Sequence, residues 1–112
     1  MKSTLFACLM LFASMQLALA DDKAVYIDVR TWIEHRVNSI DGDTRIHVSD
    51  IVDGVNAKYP DKDTPIKLYC ERGVRAETAL QKLKAAGYLN VENVGGIDEV
   101  RRARFGNEVD AS

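Results

Sequence analysis

Ile66-Lys67-Leu68-Tyr69-Cys70-Glu71-Arg72-Gly73-Val74-Arg75-Ala76 decides how this chain is read. The apolar run Ile66–Tyr69 has the character of a buried strand. A helical pattern starts at about Arg75 and runs to Ala86, with Ala76, Ala79, Leu80 and Leu83 on one side. Cys70 therefore stands where a strand ends and a helix begins. Backbone N–H groups converge at such a corner, and the helix dipole is positive there. Both effects favour a thiolate over a thiol. Arg72 and Arg75 add positive charge, as a nucleophile facing a small anion requires.

Outward from this corner, strand and helix signals alternate. Ala24–Ile27, ending at Asp28-Val29-Arg30, reads as a first buried strand. Thr31 and Glu34 form a capping box ahead of Trp32, Ile33 and Val37. Ile40–Asp43 reads as a turn and Thr44–Val48 as a second strand. Ser49 is placed to cap a helix marked by Ile51, Val52, Val55 and Tyr59, which Pro60 stops. After the cysteine corner, Gly87 ends the helix, Val91–Val94 reads as a strand, and Ile97–Phe105 as a last helix. This alternation predicts an α/β fold with a mostly parallel central sheet and helices on both faces. Asp28, Cys70 and Gly95 then fall at strand carboxyl ends, where such sheets place their sites.

The 112 residues suffice for one domain. Residues 1–20 read as a secretory signal peptide. Lys2 gives the positive start, Leu5–Leu17 the apolar run, and Ala18-Leu19-Ala20 the small-x-small cleavage site. The run is shorter than the roughly 20 residues a spanning helix needs. The expected domain is 21–112, periplasmic or secreted, and off the membrane once cleaved. Cleavage removes Lys2 and makes the net charge of -2 one unit more negative, which argues against a nucleic-acid partner. It also removes Cys8, so Cys70 is left unpaired in an oxidising compartment, a liability unless the thiol is used. No metal or cofactor motif is present in the sequence. His35 and His47 read as surface or satisfied core residues, and Trp32 as a residue packed at the domain edge.

Cys70-x-x-Gly73-x-Arg75 resembles the active-site loop of the rhodanese sulfurtransferases. Ile27-Asp28-Val29-Arg30 is similar to their first-strand signature. Glu34, Ile40, Gly42 and Ile46 fall at the spacing of a second, and Asn93-Val94-Gly95-Gly96-Ile97 matches the final strand and glycine pair. With the export signal, the chain resembles the single-domain periplasmic rhodaneses, also called thiosulfate sulfurtransferases. Asn38-Ser39, Asp43, His47 and Ala76 stand where the family usually has other residues.

The resemblance implies a small rhodanese-like domain in which Cys70 takes the outer sulfur of an anionic donor such as thiosulfate. The resulting persulfide passes that sulfur to a thiophilic acceptor, cyanide in vitro or a protein. Arg72, Gly73, Val74 and Arg75 are the expected substrate-binding loop. Asp28 and Arg30 are the expected scaffold, and no cofactor is implied. Two other readings are a persulfide carrier or interaction module without turnover, and a cysteine phosphatase or arsenate reductase. The loops of the latter pair hold one more residue between Cys and Arg.

Overall fold

The computed structural model describes residues 23–106. The expected signal peptide and its cleavage point lie outside the described residues. Four strands form one parallel sheet: β1 (Val25–Asp28), β2 (Thr44–Arg45), β3 (Ile66–Cys70) and β4 (Val91–Gly96), in the order β2-β1-β3-β4. The helices are α1 (Trp32–Val37), α2 (Ile51–Lys58), α3 (Val74–Ala85) and α4 (Ile97–Phe105).

Strand parity sorts the side chains. Successive residues of a strand point to opposite faces. Ile66, Leu68 and Cys70 of β3 join Ile27 and Val29 in a core closed by Ile51 and Val55 of α2 and by Ala76, Ala79, Leu80 and Leu83 of α3. Tyr69, on the other face, packs with Ile40, with Ile97 and Val100 of α4, and with Tyr26. Helices thus cover both faces, which is why β1 and β3 are mostly apolar, with Lys67 and Asp28 the exceptions. Each fully buried Ile or Leu contributes about 1.5–3 kcal/mol. Cys70 consequently faces α3, and Asp28 faces the opposite side.

The second strand is shorter than the expected Thr44–Val48. Ile46 and Val48 still donate to the Asp28 and Val29 carbonyls, but the chain then turns into a 3₁₀ segment over Val48–Asp50. The His47 ring accepts from the Ser49 amide and meets the Ser49 hydroxyl, so Ser49 does not cap α2; Asp50 occupies that position. Asp43, one of the departures from the family pattern, has a built environment. Its carboxylate accepts from the Tyr69 hydroxyl (2.7 Å) and pairs with Arg104 (2.7 Å). The Arg104 guanidinium lies 3.8 Å from the centre of the Tyr26 ring. Burial first, and Asp43 second, push the Tyr69 hydroxyl pKa up, so it stays a donor. This tie anchors the residue next to Cys70.

Candidate functional site

The connection from β1 runs outward to β2, and that from β3 runs outward to β4. A crevice therefore opens between the carboxyl ends of β1 and β3. Both loops that border it carry the predicted residues. Cys70 is the last residue of β3, one further than expected, and α3 starts at Val74. Gly73 bridges them at φ +97°, a backbone state that other residues adopt only with strain. In that state the Gly73 amide donates to the Cys70 sulfur at 3.0 Å. The Cys70 side chain is buried among core residues, so the sulfur meets hydrocarbon below and a backbone donor above.

The loop is held from three sides. Asn93 on β4 donates to the Gly73 carbonyl (3.0 Å) while its side-chain oxygen accepts from the Gly95 amide (2.9 Å). That turn bulges β4, so Leu68 pairs with Asn93 but Cys70 with Gly96. It also explains why β4 continues past the expected Val94. The Glu71 carbonyl then passes directly over Gly96. A Cβ there would stand 2.4 Å from that oxygen.

The second hold is Arg75. Its guanidinium makes a bidentate pair with Glu34 of α1, at 2.7 and 2.9 Å. Arg75 therefore closes the loop onto α1, with its charge spent on Glu34 rather than presented freely to the crevice. Its pKa is raised, chiefly by the Glu34 hydrogen bond, with a smaller electrostatic pull from Cys70. The third hold starts at Asp28, whose buried carboxylate receives the Arg30 guanidinium (2.8 Å), the Arg30 amide (3.0 Å) and the His35 ring (2.9 Å). Arg30 continues to the Asn38 carbonyl and to Glu71 in the loop (3.3 Å). The expected scaffold pair Asp28 and Arg30 thus meets the loop through Glu71, for which the sequence offered no role. Arg72 and Val74 face solvent.

Sequence reasoning missed four partners: His35 on Asp28, Glu71 on Arg30, Glu34 on Arg75, and Asn93 on Gly73. Glu34 carried its capping box with Thr31, which the structure retains, and its place in the second family signature, but neither pointed to Arg75. The Arg75 hydrogen bond, with further help from Thr31, lowers the Glu34 pKa from 4.5 to about 2. A folded-state pKa below the unfolded one gives stability that is present above about pH 4.5 and lost as pH falls through about 2. For a partly exposed pair the size is about 1 kcal/mol. Urea midpoints measured against pH are expected to show an acid limb that flattens in Glu34→Gln. An unchanged limb would contradict the clamp.

Among the described residues there is no group of His, Cys, Asp or Glu placed to hold a metal, and no helix is long and apolar enough to cross a membrane. Comparison with known proteins finds a family model described as "Rhodanese-like domain" matching residues 12–103. The thiosulfate sulfurtransferase PspE of Escherichia coli is 29% identical over 75 residues, covering 67% of this chain and 72% of that protein. The tRNA uridine(34) hydroxylase of Erwinia tasmaniensis is 34% identical over 98 residues, 82% of this chain but 28% of that enzyme. Among solved structures, an Escherichia coli rhodanese with anions superposes with a TM-score of 0.65 at 29% identity, over 68% of this chain and 89% of that one. A human single-domain sulfurtransferase gives 0.62 at 25% identity, over 79% and 89%.

Proposed function

The chain belongs to the rhodanese-like domain family, and from that membership we propose that it is a sulfurtransferase working through a persulfide on Cys70. The observation that carries the reading is the Gly73 amide aimed at the Cys70 sulfur at the carboxyl end of β3. The Cys70 thiolate attacks the outer sulfur of a donor such as thiosulfate. The donor's S–S bond breaks, sulfite leaves with the bonding pair, and Cys70 carries –S–S⁻. The loop amides and the positive end of α3 favour this anion. Exposed Arg72 is the cation free to meet the donor's sulfonate. Cyanide, or another thiophile, then attacks the outer sulfur, thiocyanate or its counterpart departs, and the Cys70 thiolate returns.

Two half-reactions that share one covalent intermediate make a ping-pong scheme. Steady-state rates with thiosulfate and cyanide varied together are expected to give parallel double-reciprocal lines. Intersecting lines would mean a ternary complex and no free persulfide form. Support for thiosulfate as donor comes from the Escherichia coli relative that carries it in its name. The same reading places the working domain at 21–112, exported after cleavage at Ala20. The amino terminus of the protein recovered from an exporting host tests this, with Asp21 expected first.

A further inference from the structure

The first helix, α1, buries none of its six residues. Trp32, Ile33 and Val37 are 59%, 60% and 81% exposed, and Val74 beside Arg75 is 75% exposed. The domain-edge packing expected of Trp32 is therefore absent. Half of a short helix is large and apolar, yet the helix is held to the domain by polar ties, Glu34 to Arg75 and His35 to Asp28. Ile33 and Val37, one turn apart, line a shallow cavity of about 320 Å³ with Arg30, Glu34, Asn38 and the loop residue Glu71. The apolar face is thus continuous with the loop that carries Cys70.

We propose that this face receives a protein thiol that takes the sulfur from Cys70. Its cysteine sits between apolar side chains with a carboxylate nearby. The proposal rests on the persulfide reading and names its acceptor. Cyanide and thiosulfate offer no apolar surface to match these side chains. Val74 lines a separate cavity with Asn93 and Glu99. Trp32, Ile33 and Val37 together expose on the order of 350 Å², a size at which surface patches are often functional. That is below the roughly 800 Å² per partner of a stable complex, and so suits a brief encounter rather than a permanent dimer. Charge points the same way. The neighbouring carboxylates Glu34 and Glu71 are already tied to Arg75 and Arg30. Among the described residues, Arg72 and Arg36 have no acidic partner, and Arg36 lies over the Trp32 ring at 5.7 Å. In the transfer, the acceptor thiolate, its proton lost to solvent, attacks the outer sulfur of the Cys70 persulfide. The Cys70 S–S bond breaks, the acceptor keeps the sulfur as its own persulfide, and Cys70 leaves as thiolate. No oxidant or reductant is required.

Trp32 is the chain's one tryptophan, so docking has a built-in reporter. Two short peptides serve as probes, one with its central residue between leucines beside an aspartate, the other between serines with no acid. With serine as the central residue, the leucine peptide is expected to shift Trp32 emission saturably to the blue, and the serine peptide to leave it in place. With cysteine as the central residue, transfer from the loaded full-length chain is expected to be about tenfold faster to the leucine peptide. An Ile33→Ser, Val37→Ser double variant should lose that preference while keeping its rate with cyanide. Both positions are exposed, so folding is spared. Equal rates for the two peptides, or a preference that survives in the variant, would overturn the proposal. So would a blue shift that follows protein concentration without peptide, which would assign the face to a second copy. A peptide-induced shift in a chain that never loads sulfur would overturn the transfer step and locate the failure at Cys70, not at α1.

Discussion

Gly96→Ala is expected to lose at least about a hundredfold in sulfur-transfer rate, the scale of a 1 Å displacement at a reacting centre. Gly96 has ordinary extended dihedrals, φ -95° and ψ 159°, which alanine adopts freely. The effect is therefore one of space. The added methyl would sit 2.4 Å from the Glu71 carbonyl oxygen, 3.2 Å from its carbon and 3.3 Å from the Arg72 Cα. All three are backbone, so no side chain can swing away. The loop that aims the Gly73 amide at Cys70 must lift. Gly87→Ala makes the matching control. Nothing lies within 4 Å of a Cβ there, and the cost comes only from its φ of +98°. It should lower stability by about 1 kcal/mol and leave the turnover rate alone. Rates for the two variants, each shown to be folded by circular dichroism, decide the matter; similar turnover in both would contradict the packing account.

Arg30→Met is expected to cost about 3–5 kcal/mol of folding stability, because it strands the buried Asp28 carboxylate. The sign with pH is the sharper part. In the native chain burial raises the Asp28 pKa, but hydrogen bonds from Arg30 and His35 outweigh it and leave the group below its ordinary 3.8. The contribution is then present above about 3.8 and lost as pH falls through the folded value. Without the Arg30 side chain the burial that raises the Asp28 pKa is opposed only by His35 and the residue-30 amide, so the folded pKa rises and the variant's deficit eases on acidification, as Asp28 takes up a proton. Urea unfolding at about pH 7 and about pH 4.5 should show the deficit shrinking at the lower pH. A deficit of equal size at both would mean that the pair is not what Arg30 contributes.

The parts of the fold that periodicity and local chemistry control were legible in the sequence. Ile97–Phe105 forms the expected last helix, the Thr31–Glu34 capping box is intact, and the Cys70 corner follows from an apolar run meeting a glycine and a helical pattern. The parity of β3 even sets which face Cys70 takes. What was not legible depends on pairs far apart in the chain. Glu34 meets Arg75, and Arg30 meets Glu71, each across 41 residues, and nothing near either residue in the sequence says which partner it will find. Asp43 looked like a misfit until Tyr69 and Arg104 came to it from two other elements. The second strand fell short because, at the sheet's edge, nothing beyond β1 holds it extended. Trp32 reads as a residue packed at the domain edge yet is 59% exposed, since an apolar side chain signals contact without saying with what.

The account turns on one sulfur, and the mass of the intact protein reads it directly. After incubation with thiosulfate and removal of the excess, the chain is expected to be heavier by one sulfur atom. The added mass should map to the peptide containing Cys70, vanish on treatment with cyanide, and be absent from Cys70→Ser. A native chain that gains no sulfur, or a Cys70→Ser chain that gains it equally, would contradict the assignment.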